Sequence, residues 1–94
     1  MMSNIKVIYF DSESIDSIML TNLLSSCCIS AYKVNSDFFI VKYLKSPKEL
    51  YEELHSMIAG KNILITNIEI SEGSYWGYMD KGLWVWLSEN AHDL

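Results

Sequence analysis

Asp37-Phe38-Phe39-Ile40-Val41-Lys42-Tyr43-Leu44, followed by Lys45-Ser46-Pro47-Lys48-Glu49-Leu50 and running on to Gly60, decides how the rest of the chain is read. The first eight residues are β-branched and aromatic enough to form an inner strand. Ser46 then suits a helix N-cap, and Pro47 suits the first helical position, where no amide hydrogen is needed. Glu49, three residues after the cap, completes a capping box. Leu50, Leu54, Met57 and Ile58 recur on one face of the predicted helix Pro47 to Ala59, with Lys48, Glu49, Glu52 and Glu53 on the other. Gly60 ends it.

Upstream, Ile5-Lys6-Val7-Ile8-Tyr9-Phe10 reads as a first strand and Asp11-Ser12-Glu13-Ser14 as the turn that leaves it. Ser12 or Ser14 can cap a helix from about Ser14 to Cys27, whose stripe is Ile15, Ile18, Met19 and Leu23, broadened by Leu20 and Leu24. Cys28 to Val34 is a second strand, joined to the third by Asn35-Ser36-Asp37, where Asn tolerates a left-handed backbone. Asn62 to Ile70 is a fourth strand. After the loop Ser71 to Met79, Asp80 can cap a short C-terminal helix carrying Leu83, Trp84 and Leu87; a fifth strand over Leu83 to Leu87 is the weaker option because Gly82 suits neither element.

The order is β-α-β-β-α-β plus a tail, an α+β fold of the ferredoxin-like kind: a four-stranded antiparallel sheet with two helices on one face. A sheet with one side in water should alternate apolar with polar residues. Here strands one and three are apolar at both alternating sets, broken only at Lys6 and Lys42. The open face therefore calls for a cover: a second copy, the C-terminal segment or another protein. Tyr9, Phe39, Val41 and Tyr43 are the sheet residues assigned to such an interface.

At 94 residues, half of them apolar, the chain is sized for one domain. Twelve acidic residues against seven lysines leave a net charge of -5, and there is no arginine. Without the bidentate guanidinium fork, the composition counts against nucleic-acid binding and favours a basic protein partner. Cys27 and Cys28 are adjacent, a spacing that suits neither a relaxed disulfide nor a metal site, and they read as free thiols of a reducing cytosol. No signal-peptide core and no membrane-length apolar run is present, so a cytoplasmic location and no membrane contact are expected.

The apolar first strand ending in Asp11, the strand Asp37 to Val41 followed by Ser46-Pro47-Lys48-Glu49-Leu50, and the ending Leu83-Trp84-Val85-Trp86-Leu87-Ser88-Glu89-Asn90 resemble the small SinR-like proteins. Those are in turn similar to the CRISPR-associated Cas-two family and to the VapD and GhoS toxin-antitoxin ribonucleases. The likeness runs from about Ile5 to Asn90. It implies a homodimer packed through the open sheet face, with the two Asp11 carboxylates facing one another across a divalent metal.

Asp11 is accordingly the one candidate catalytic and metal-ligating residue. A Mg²⁺ held by carboxylate, water and phosphate oxygens activates water for phosphodiester cleavage. Glu13 and Asp16 are near in sequence, but acids at a strand-to-helix turn ordinarily serve as caps and dipole partners, and that reading ranks first. His55 sits beside an apolar stripe without an accompanying nucleophile, and His92 lies in the tail; neither points to an enzyme. Tyr75, Trp76, Tyr78, Trp84 and Trp86 put five aromatics in twelve residues. Lys81 alone borders them, so packing in a core or dimer ranks above a partner surface, and a base-stacking platform comes last. The sequence thus favours a small acidic homodimer that binds a protein without catalysis or cofactor, with a metal-dependent ribonuclease or deoxyribonuclease as the alternative.

Overall fold

A computed structural model describes residues 4–68 and 81–90. Seven elements follow in the chain: β1 Ile5–Phe10, α1 Ser17–Cys27, β2 Ser30–Asn35, β3 Phe38–Lys42, α2 Pro47–Ile58, β4 Ile63–Asn67 and α3 Lys81–Asn90. The strands form one sheet in the order β2-β3-β1-β4, every neighbouring pair antiparallel. This is the ferredoxin-like α+β arrangement.

The register assigns each side chain to a face. Ile5 lies opposite Lys42, Val7 opposite Ile40 and Tyr9 opposite Phe38, so these six share one side of the sheet. Lys6, Ile8 and Phe10 share the other with Phe39, Val41 and Tyr43. That second side meets the helices: Ile8, Phe10, Phe39, Val41 and Tyr43 pack with Ile15, Leu20, Leu24, Leu50, Leu54 and Ile58 in one buried cluster. Each such aliphatic side chain stabilises the fold by about 1.5–3 kcal/mol.

Local chemistry explains the helices. In α2, Ser46 Oγ accepts from Glu49 N–H (3.1 Å) while Glu49 Oε1 accepts from Ser46 N–H (3.3 Å), the reciprocal capping box. Gly60, at φ +74°, lets the chain leave the helix. In α1 the predicted start is displaced. Asp11 O accepts from Ser14 and Ile15 N–H, so residues 11–15 close a turn of their own, and Asp16 is the N-cap, accepting from Ile18 (2.9 Å) and Met19 (3.3 Å). The helix consequently buries Leu20 and Leu24, and leaves Ile18 and Met19 71% and 59% exposed. Ile15, Leu20, Leu24 and Leu23 of the expected stripe do meet the core, and only Ile18 and Met19 turn away from it.

The β2–β3 hairpin also differs in detail from expectation. No described non-glycine residue has positive φ; Asn35 instead closes the turn with its side chain, Oδ1 accepting from Asp37 N–H (2.9 Å). A bulge between Lys33 and Asn35 shifts the register.

The opposite side of the sheet is partly covered by the chain itself. Ile5 and Ile40 pack with Leu83, Trp86 and Leu87 of α3, and Tyr32, Val34, Ile68 and Trp84 flank them. Trp86 Nε1 donates to Ser30 Oγ (2.9 Å), which pins α3 to β2. The C-terminal helix, one of the three covers the sequence left open, packs on this face. No helix among the described residues is long and apolar enough to cross a membrane.

Candidate functional site

Three places on this scaffold bear on function. The first is the turn after β1. Asp11 is half-buried, and its Oδ1 accepts from Glu13 N–H (3.0 Å). Asp37 reaches across from the hairpin, its Oδ1 accepting from Ser12 N–H (3.2 Å). Hydrogen bonding from Ser12, through its side chain first and its amide second, holds the Asp37 carboxyl below the usual range. Asp16 is engaged as the cap of α1, and Glu13 is exposed. Each carboxylate with a visible task is therefore ordering backbone. Among the described residues no three His, Cys, Asp or Glu side chains come together as a metal site, and none of these joins Asp11 as the companions a divalent ion requires. Asp11 does border a shallow, open depression with Tyr9, Asn62 and Leu64.

The second place lies under the helices. Lys6 is 0% exposed, its Nζ donating to Tyr43 O (2.8 Å) and standing 6.0 Å from the Tyr43 ring centroid. The Tyr43 hydroxyl donates to Glu53 Oε2, and the Cys27 and Cys28 Sγ atoms are 3.9 Å apart. Burial lowers the Lys6 pKa, and the charge of Cys28 opposes that shift. Burial pushes both thiols up, Cys28 the further. Thiols held protonated are poor nucleophiles, and this cluster is built to satisfy buried polar groups. Sequence reasoning counted Lys6 only as a polar break in an apolar strand. The overlooked signal was parity: Lys6 shares its face with Ile8 and Phe10, whereas Lys42 is on the other.

The third place is the part of the α3-side face that α3 does not reach. Tyr9 is 50% exposed and stacks on Phe38 (centroids 4.6 Å apart, 20° between planes), and Leu64 beside Tyr9 in the register is 60% exposed. Tyr9 is thus the one interface residue expected from the sequence that presents a large described surface. Phe39, Val41 and Tyr43 do not: they occupy the helix-side core, because the odd positions of β3 face α1 and α2. Trp86 is buried beneath α3 and Trp84 is half-buried there, as intramolecular packing. Tyr75, Trp76 and Tyr78 lie outside the described residues, as does His92. His55 is exposed on α2, in edge contact with Tyr51.

Comparison of the chain with family models, curated proteins and solved structures returns no match.

Proposed function

We propose that this chain is a small acidic, homodimeric protein-binding module, acting as an antitoxin, inhibitor or regulator, without catalysis of its own. One observation carries the reading: the apolar corner formed by Tyr9, Phe38 and Leu64, left exposed on an otherwise well-packed sheet. Paired aromatics and a leucine in water are what protein interfaces bury, and they contribute little to a monomer. The net charge of -5 favours a basic partner and opposes polyanions. The resemblance to SinR-like and Cas-two-like proteins is compatible with this role. The nuclease alternative rests on Asp11, whose carboxylate already accepts the Glu13 amide.

The experiment is affinity capture from the native host with wild type and Tyr9→Ser. A stoichiometric partner held by wild type and lost with the variant supports the reading. A partner bound equally by both moves the interface elsewhere, and cleavage of labelled RNA or DNA in Mg²⁺ that disappears in Asp11→Ala replaces the reading with the nuclease.

A further inference from the structure

The two edges of the sheet are built differently. The β2 edge carries Lys33, a bulge that interrupts pairing, and α3 lying alongside it. These are the usual devices that keep an edge from accepting another strand. Among the described residues the β4 edge has none of them. Ile63-Leu64-Ile65-Thr66-Asn67 is regular, uncharged and free of proline, and no charge occurs from Asn62 to Ile68.

Hydrogen bonding tells which β4 residues turn outward. Asp11 N–H donates to Asn62 O (3.1 Å) and Ile68 N–H donates to Ile5 O (3.0 Å), while Tyr9 pairs with Leu64 and Val7 with Thr66. Bonded and non-bonded pairs alternate in an antiparallel ladder. Asn62, Leu64, Thr66 and Ile68 therefore turn their backbone groups toward β1, and Ile63, Ile65 and Asn67 turn theirs away from the sheet.

Neither flank of this edge carries a net charge. On one side stand Leu64 and Tyr9. On the other, α2 lies over β4 and directs Ser56 and Met57 toward α1, so at about 100° per residue its outer flank carries Tyr51 and His55 with Lys48 and Glu52, one charge of each sign. A chain of net charge -5 repels its own copies over most of its surface. Along β4 itself, from Asn62 to Ile68, two copies meet without opposing carboxylates.

We infer that the chain dimerises through this edge, β4 pairing antiparallel with β4 of a second copy about a two-fold axis at Ile65, to make one eight-stranded sheet. The inference rests on the homodimer of the proposed function and names its contact. The axis sets Ile65 opposite its own copy, Ile63 opposite Asn67, and Leu64 opposite Thr66, and the outward groups exchange about six hydrogen bonds. No like charges oppose each other in this register. It also runs the two Tyr9–Phe38 corners into one strip on a single face. Asn62, bonded to Asp11, falls opposite Ile68, which leaves the two Asp11 positions about 25 Å apart, too far to share a metal.

The test is light scattering on wild type, on L64K/T66K and on L64E/T66E, with circular dichroism to check folding. The wild type is expected at twice the chain mass and each double variant at the chain mass, because each sets like charges opposite one another. Mixing the two variants should restore the doubled mass, since every contact then joins opposite charges. A monomeric wild type overturns both the edge and the homodimer. A dimer that both double variants preserve overturns the edge alone and leaves the homodimer standing. Amide exchange on wild type needs no variant: concentration-dependent protection at Ile63, Ile65 and Asn67 is expected, and unprotected exchange there in a sample of doubled mass sinks the edge contact.

Discussion

The two faces of the sheet use similar residues to different ends. On the helix side, Phe39, Val41, Ile8 and Phe10 are sealed by two helices through Leu20, Leu24, Leu50, Leu54 and Ile58. On the other side, Ile5 and Ile40 are sealed by one short helix, and the same strands end in exposed Tyr9 and half-buried Phe38. A strand that is apolar at both parities states that both faces need covering. It does not state by what, and among the described residues the faces differ in the number of helices laid on each.

Four measurements break or sharpen this contrast. Leu54→Ala, at the centre of the two-helix side, should cost about 2–5 kcal/mol in urea unfolding, because the sheet below and α1 beside it leave little room to collapse. A cost comparable to a surface substitution would mean that side is loosely packed.

The second uses pH. Both thiols under the helices are held above their ordinary value of 9.0, so the folded state keeps protons that the unfolded chain releases. Stability should fall as pH rises from about that value, while Lys6, with its pKa lowered from 10.5, pulls in the opposite sense. Cys28→Ala should flatten the decline in urea midpoints across this range; an equally steep decline would place its cause elsewhere.

The third addresses the one-helix side. Trp86→Phe keeps an aromatic ring but removes the donor to Ser30, for a loss of about 1 kcal/mol. Dye binding by newly exposed apolar surface should accompany it, and unchanged dye binding with unchanged stability would show that the bond does not hold α3. The smallest effect belongs to the exposed corner: Tyr9→Ser should change monomer stability by no more than about 0.5 kcal/mol. A larger loss would make Tyr9 part of the core.

Much of the architecture was legible in the sequence because local and global signals agreed. Ser46, Pro47, Glu49 and Gly60 fixed α2 at both ends, and the element order fixed the topology. What was not legible depended on rotation and parity. Ile18 and Met19 were wrongly added to the α1 stripe because Asp11 to Ile15 form a turn that delays the helix to Ser17. Phe39, Val41 and Tyr43 were assigned to an interface because nothing in a doubly apolar strand says which alternate set meets the helices. Lys6 was read only as a polar break in the strand, because the group that receives its buried amine, Tyr43, is thirty-seven residues away. Asp11 stood out by its position at a strand end, but one carboxylate has no geometry until its neighbours are known.

The enclosed amine of Lys6 also gives the protein a built-in reporter. An acylating reagent should modify the other lysines of the native chain and stall one group short in intact mass, because no path leads to this Nζ while the helices stay seated. The rate at which the last group is added then times the lifting of the helical layer, without any label being engineered into the chain.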